Sequence, residues 1–148
     1  MTSDQGGKHK PDFAWLVNDL VQRVHGVTHA LILSVDGLRL TASDTMSEDD
    51  GDHLAAIASG VLGLARSGGG LFEMGTCEQI IHRHSDGYFL FMHMGTGGGL
   101  VVLTGPKCDM QVVAYEMTQF VTNVGDRLTP EVRARLRPVA TAARHALD

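Results

Sequence analysis

The pattern of apolar and polar positions predicts three main helices and five strands. Apolar residues recur at helical spacing from Asp12, which can cap the first helix, from near Ser47 and from Asp109. Five other runs are apolar or alternate between apolar and polar residues, as strands do, at 29–34, 38–43, 71–84, 88–94 and 100–104. The predicted order is helix, two strands, helix, three strands, helix and a tail.

Turn residues between these runs predict how the strands pair. Asp36-Gly37 is a strong hairpin signal because both central positions of the favoured turn need a positive φ. Ser85-Asp86-Gly87 predicts a second turn, and the glycine-rich residues 95–99 connect the last two strands. Strands joined by tight turns pair antiparallel. We therefore expect an α+β fold, a small α/β sandwich with enough helices to cover both faces of one sheet.

The middle helix, predicted over residues 52–67, has an unusual composition. It carries no charge between Leu54 and Ala65, and one side forms a stripe of large apolar residues: Leu54, Ile57, Val61, Leu62 and Leu64. The other side holds only small residues: Ala55, Ala56, Ser59, Gly60 and Gly63. A helix that is apolar or small all round is usually covered on both sides. We expect the sheet to cover the stripe and a second copy of the protein to approach the small residues. A helix buried wholly within one chain is the alternative.

The ends of this helix and the following strand are predicted from local signals. Glu48, Asp49 and Asp50 suit the positive end of the helix dipole. Three consecutive glycines, Gly68–Gly70, predict that the helix ends at Ser67. A strand is then expected to begin at Leu71, with an interruption at Gly75.

Length, charge and cysteine content limit the classes of protein to which the chain can belong. The 148 residues suit one domain, predicted over 12–128, after a polar, disordered segment 1–11 and before an arginine-rich, partly helical tail 129–148. A net charge of -5 without a basic stripe argues against nucleic-acid binding. We see no signal peptide and no apolar run long enough to span a bilayer. Two isolated cysteines suit a reducing compartment, so we expect a cytoplasmic protein.

The candidate chemical motifs lack the context that each chemistry needs. The glycines at 95–99 lie between two strands rather than before a helix, which predicts a hairpin loop and no phosphate site. His82 and His84 share a strand face that His93 could join, but Cys77 has the wrong parity, so the ligand count favours a solvated face over a zinc site. We therefore expect no catalytic residue, no metal and no cofactor, and predict that the protein is not an enzyme.

Several strings of the chain, in combination, match one family. They are FAWLVNDLVQRVHGVTHALILSVDGLRLTAS, the small-residue helix HLAAIASGVLGLAR, and GYFLFMHMGTGGGLVVLTG. With these strings, the sequence resembles the roadblock/LC7 domain, and more closely the version found in actinobacterial conservon operons. The likeness extends over about residues 12–128. It implies the roadblock fold, a five-stranded antiparallel sheet with the central helix on one face and the terminal helices on the other.

The resemblance also implies a role. Roadblock domains of this kind are non-catalytic homodimers in which two central helices pack side by side and the strands after them pair into one sheet. The matching positions predict this interface: Ala55, Ala56, Ser59, Gly60, Gly63, Leu71, Phe72, Met74 and Cys77. The implied function is an adaptor or regulator that binds a Ras-like small GTPase in a bacterial signalling complex. A sensor-kinase-like protein is a further candidate partner, and membrane association would come through partners, without direct insertion.

A second class of function stays open from the residues alone. A compact helix–sheet fold can enclose a ligand between its layers, so a small-molecule-sensing or scaffolding domain is the alternative. The sequence offers few polar groups that would converge inside such a pocket.

Overall fold

The computed structural model describes residues 12–34, 36–95 and 97–136, in which the chain forms four helices and five strands. The bounds, in chain order, are α1 Phe13–Arg23, β1 Val27–Ser34, β2 Arg39–Ala42, α2 Glu48–Leu71, β3 Gln79–His84, β4 Gly87–Met94, β5 Gly98–Thr104, α3 Met110–Gly125 and α4 Pro130–Leu136. The strands form one antiparallel sheet in the order β2-β1-β5-β4-β3. The predicted element order and sheet are confirmed.

Each long helix begins at a polar residue whose side chain accepts a hydrogen bond from the first turn. The carboxylate of Asp12 accepts from the backbone N–H of Ala14, and the hydroxyl of Ser47 accepts from that of Asp50. Asp109 accepts from the backbone N–H groups of Gln111 and Val112. These caps satisfy N–H groups that have no partner within the helix, so the helices begin where the sequence predicts.

Alternate side chains of the sheet point into two separate cores. On one face, Ile32 and Leu90 pack beneath α1 and α3, whose buried residues include Leu20 and Met117. On the other face, α2 is the one described helix that packs against the sheet, through Leu31, Leu33, Phe89, Phe91 and Val101. The central helix therefore has its own face of the sheet, and the terminal helices share the opposite face.

An exposed ion pair joins the two terminal helices across the first core. The guanidinium of Arg23 in α1 donates to the carboxylate of Glu116 in α3 at 2.6 Å, and to Asp19 at 3.1 Å. The hydrogen bond to Glu116, and then the one to Asp19, raise the pKa of Arg23. Because the pair is exposed, it orients the helices but adds little stability.

The C-terminal end of α2 differs from the prediction. The helix continues through Gly68–Gly70 to Leu71, and Phe72, at its C-terminal cap, donates its N–H to the carbonyl of Gly68. The expected strand from Leu71 is therefore wrong over its first part, since β3 begins only at Gln79. Glycine lowers helix propensity without forbidding the helical conformation, so the end of α2 is set by its cap and not by the first glycine.

The predicted tail helix is present as α4, where Val132 and Leu136 pack against the core under α1 and α3. A guanidinium N–H of Arg133 donates to the carbonyl of Leu128 at 3.3 Å. The disordered segment expected at 1–11 and the tail after Leu136 lie outside the described residues.

Candidate interaction surface

The outward side of α2 is apolar, and no described element of the chain covers it. Ile57 is 59% exposed and Leu64 is 78% exposed, while Ala56, Gly60 and Gly63 lie exposed beside them. At the C-terminal end of the helix, Leu71, Phe72 and Met74 are each between 72% and 75% exposed. We call this set the α2 surface: Ala56, Ile57, Gly60, Gly63, Leu64, Leu71, Phe72 and Met74. A large exposed apolar patch in a folded domain marks an interaction site.

The structure corrects which side of α2 faces the sheet. The buried residues of the helix are Gly51, Ala55, Ala58 and Leu62. Of the predicted stripe, Leu62 is buried and Leu54 packs against the same core, while small side chains fill the rest of the contact. The sheet supplies much of the bulk on this face through Phe89 and Phe91. Ile57 and Leu64, which the sequence placed against the sheet, are outward.

The nine predicted interface residues are placed as follows. Six are exposed on the α2 surface: Ala56, Gly60, Gly63, Leu71, Phe72 and Met74. Ser59 and Cys77 are partly buried. Ser59 lies beside the β1–β2 turn, since a Cβ built on Gly37 would be 3.2 Å from the Cβ of Ser59. Ala55 is 0% exposed, so its assignment to the partner side is wrong. Sequence reasoning missed Ile57 and Leu64, whose seven-residue separation places them on one side of a helix.

The glycines of the α2 surface have no role inside the protomer. A Cβ built on Gly60 or on Gly63 would have no neighbouring atom within 4 Å. By contrast, a Cβ on Gly51, near the start of the same helix, would be 2.8 Å from the Cδ of Arg39. Because glycine disfavours a helix interior, its presence at 60 and 63 indicates a contact with another molecule rather than a contact within the protomer.

Replacing Gly60 with alanine is therefore expected to raise the free energy of unfolding of the isolated protomer by about 0.5–1 kcal/mol, the helix propensity gained. Urea denaturation at a concentration too low for association measures this gain. Gly51→Ala is the matched control and should give no gain, since the new Cβ would displace Arg39, whose guanidinium donates to Asp52 at 2.8 Å. A loss of stability in Gly60→Ala would show that Gly60 is needed within the protomer.

The edge strand β3 lies next to this surface in the sequence and is itself uncovered. Its only neighbour among the described strands is β4, and every side chain except Ile80 is exposed. The carbonyl of Glu78, just before the strand, accepts from the N–H of His93 in β4. Since peptide groups alternate along a strand, Gln79, Ile81 and Arg83 direct theirs to the free edge. An edge of this kind can pair with another strand.

The three histidines considered for a metal do not come together. His82 and His84 share a face, with ring centroids 6.4 Å apart, and the His82 ring stacks on Phe89 at 5.3 Å. His93 pairs with Gly99 towards the other end of β4 and lines a different cavity, with Thr118 and Val121. Within the part of the chain that the structure describes, no three His, Cys, Asp or Glu side chains are grouped to hold a metal ion. Cys77 lies before β3 and outside any strand, so its predicted strand parity does not apply.

The glycines after β4 serve packing. Gly98 and Gly99 belong to β5, and the connection from Met94 is a hairpin loop, as predicted. A Cβ on Gly99 would be 2.1 Å from the ring of Phe91, so glycine at this position makes room for a buried aromatic side chain.

By length and composition alone, α2 is long and apolar enough to cross a membrane. The expectation that no segment reaches this length is wrong, because the helix continues to Leu71. Ala55, Ala58 and Leu62 nonetheless pack against the sheet, and core helices of globular domains pass the same test. The composition of α2 by itself therefore assigns no membrane role.

Comparisons with known proteins agree on one family. The family model for the Roadblock/LC7 domain matches residues 13–104. A solved roadblock/LC7 domain from Streptomyces avermitilis is 37% identical, with a TM-score of 0.75 over 79% of this chain and 98% of that one. A second structure described as that domain is 36% identical, with a TM-score of 0.64 over 76% of this chain and 97% of that one. Myxococcus xanthus MglB is similar in fold, with 11% identity and a TM-score of 0.74 over 80% and 96% of the two chains. A search of curated proteins gives no match.

Proposed function

Because the chain belongs to the roadblock/LC7 family, we propose that it is a non-catalytic, homodimeric adaptor that binds and regulates a Ras-like small GTPase. The observation that carries this proposal is the uncovered α2 surface. Leu64, at 78% exposure, and the apolar side chains of Leu71, Phe72 and Met74 would all be left in water in a lone protomer. Burial of apolar surface of this kind drives stable association.

A second copy of the chain suits the α2 surface for electrostatic and steric reasons. In a twofold interface the residues near the axis meet their own counterparts, so a charge at that position would face a like charge. The helix carries no charge from Leu54 to Ala65, so two copies can meet without that repulsion. Gly60 and Gly63 leave open space, which allows the second helix backbone to come close.

The free edge of β3 supports the same arrangement. An edge strand related to its copy by a twofold axis pairs with it antiparallel, and Gln79, Ile81 and Arg83 would supply the hydrogen-bonding groups. Two five-stranded sheets would then continue across the interface, and the two α2 helices would lie side by side. The pairing would also remove an exposed edge that favours aggregation.

Membership of the family supports the proposed adaptor role, whereas the α2 surface supports the proposed homodimer. In a dimer formed through α2 and β3, the α1/α3 layer of each protomer stays accessible. This layer exposes three large hydrophobic side chains: Trp15, Val112 and Tyr115. We propose that the dimer works in the cytoplasm, that a sensor-kinase-like protein is a further partner as in conservon complexes, and that any membrane association comes through partners.

GTPase binding is tested with the full chain and candidate Ras-like GTPases from the same organism, each loaded with GDP or with a non-hydrolysable GTP analogue. We expect a complex that co-elutes in size-exclusion chromatography with one of the two nucleotide states. Hydrolysis and nucleotide-exchange rates, measured with and without the protein, then separate regulation from simple docking. The absence of a complex in both states, for every candidate, would contradict the adaptor role.

Small-molecule sensing is a second candidate function, because the protomer has a groove of about 520 Å³. It runs between α2 and the β3–β4 hairpin, with Leu54, Ile57 and Val61 on the helix side and His82 and His84 on the strand side. A thermal-shift screen of apolar and weakly acidic compounds tests this candidate. A ligand that stabilises the wild type but not His82→Ala would support it, and no stabilisation would remove it.

A further inference from the structure

We infer that the last turn of α2, residues 68–71, and its cap through Met74 fold completely only when a second copy covers them. This inference rests on the proposed homodimer and adds a conformational step to it. In the lone protomer the turn would be open for much of the time, and association and helix completion would be one event.

The composition of the last turn disfavours a helix that stands alone. Gly68, Gly69 and Gly70 are consecutive helical residues, and glycine is the least favourable residue in a helix interior apart from proline. A Cβ on Gly68 or Gly70 would have no neighbour within 4 Å. No contact within the protomer therefore requires these glycines.

The cap of the turn holds a residue in an unfavourable conformation. The N–H of Met74 donates to the carbonyl of Gly69 at 2.7 Å, and the N–H of Glu73 donates to that of Gly70 at 3.3 Å. This is the Schellman arrangement, which needs a left-handed residue at the position of Glu73. Glu73 has a φ of 56°, the only positive φ among the described residues other than glycine. Side chains with a Cβ disfavour this region.

Most of the turn is exposed in its own protomer, and only Gly69 is partly buried. Leu62 is the last buried residue of α2, so the helix extends more than two turns beyond its contact with the core. Leu71, Phe72 and Met74, the large side chains at this end, are each between 72% and 75% exposed. Helix termini without tertiary contacts are marginal in water. No described residue of the protomer buries these side chains, and the α2 surface suits a second copy.

A consequence for the dimer follows from this coupling. When a segment becomes ordered on binding, part of the interaction free energy is spent on the ordering. The affinity of the two copies is therefore lower than their contact area alone would give. Residues 72–78, which lead from this turn into β3, would also be positioned for strand pairing only in the dimer.

Two substitutions that favour the turn by independent means test the coupling. Gly70→Ala raises helix propensity, and Glu73→Gly relieves the left-handed conformation. If the turn is open in the monomer, each variant should lower the dimer dissociation constant by about three- to fivefold, as measured by sedimentation equilibrium. If the turn is already formed in the monomer, each variant would raise protomer stability and leave the dissociation constant unchanged, which would overturn the inference.

A control at the other end of the same helix separates the two effects. Ser47 caps α2 by accepting from the N–H of Asp50 at 3.1 Å, next to a segment whose Ala55 and Ala58 are buried. Ser47→Ala should weaken the protomer and the dimer equally. Its dissociation constant should therefore equal that of the wild type.

Hydrogen exchange gives a second measurement that needs no change in the turn itself. The amides of Phe72, Glu73 and Met74, which donate to the three glycine carbonyls, should be protected in the wild-type dimer and exchange at least tenfold faster on dilution to the monomer. Amides at 55–62 should stay protected at both concentrations. Equal protection of the turn in monomer and dimer would overturn this inference and leave the homodimer intact. A wild type that stays monomeric at all concentrations would overturn both.

Discussion

Replacing Leu64 with arginine is expected to convert the protein to a monomer while its fold stays intact. Leu64 lies in the middle of the α2 surface at 78% exposure, so the substitution removes little of the protomer's own core. In a twofold dimer, each protomer would bury a guanidinium group among the apolar side chains of the interface. We expect a loss of at least about 4 kcal/mol, or about a thousandfold in the dissociation constant.

Light scattering at micromolar concentration measures this change, with circular dichroism to check the fold. Tyr115→Arg is the matched control, because Tyr115 is 61% exposed on α3, on the opposite face of the sheet. It should leave the dimer unchanged. Gly63→Arg gives an independent second test, since a side chain there meets open space in the protomer. If Tyr115→Arg became monomeric while both α2 variants stayed dimeric, the interface would lie on the α1/α3 layer.

Replacing Gly87 with alanine is expected to destabilise the fold by more than about 3 kcal/mol, which is a large part of the stability of a typical domain. Gly87 is buried at the start of β4, and a Cβ there would be 2.2 Å from the carbonyl oxygen of Thr104. That oxygen belongs to the backbone of β5, which is held between β1 and β4. Relief of the clash would require the end of the sheet to separate, so we expect a low yield of folded protein or a much lower urea midpoint.

Gly105→Ala is the matched control for this prediction. Gly105 follows Thr104 directly, and a Cβ there would have no neighbour within 4 Å. Its free energy of unfolding in urea should lie within about 0.5 kcal/mol of the wild-type value, as for other surface changes. Equal urea midpoints for Gly87→Ala and Gly105→Ala would mean that the start of β4 can move without a loss of stability.

Local chemistry was enough to predict most of the elements. Asp12 begins its helix because its side chain satisfies the first N–H groups, and this interaction depends only on residues nearby in the chain. Gly37 has a φ of 85° in the β1–β2 turn, a conformation that the Asp-Gly pair favours. The continuous apolar run at 29–34 predicted a strand, and Ala30–Ser34 are all buried in β1. The sequence also indicated that α2 needs cover on two sides, because no charge interrupts its middle.

The orientation of α2 depended on contacts between elements. Sequence alone placed all the large residues on the sheet side, but Phe89 and Phe91 supply much of the bulk of that layer. Ala55 and Ala58 therefore lie there beside Leu62, while Ile57 and Leu64 point outward. The end of the helix also escaped local reasoning, because propensity predicts a stop at Ser67 while the cap at Glu73 and Met74 permits three helical glycines. The cap depends on the backbone conformation of Glu73, which helix propensity does not predict. The orientation depends on which groups meet across the fold, and the spacing of residues along one helix does not contain that information.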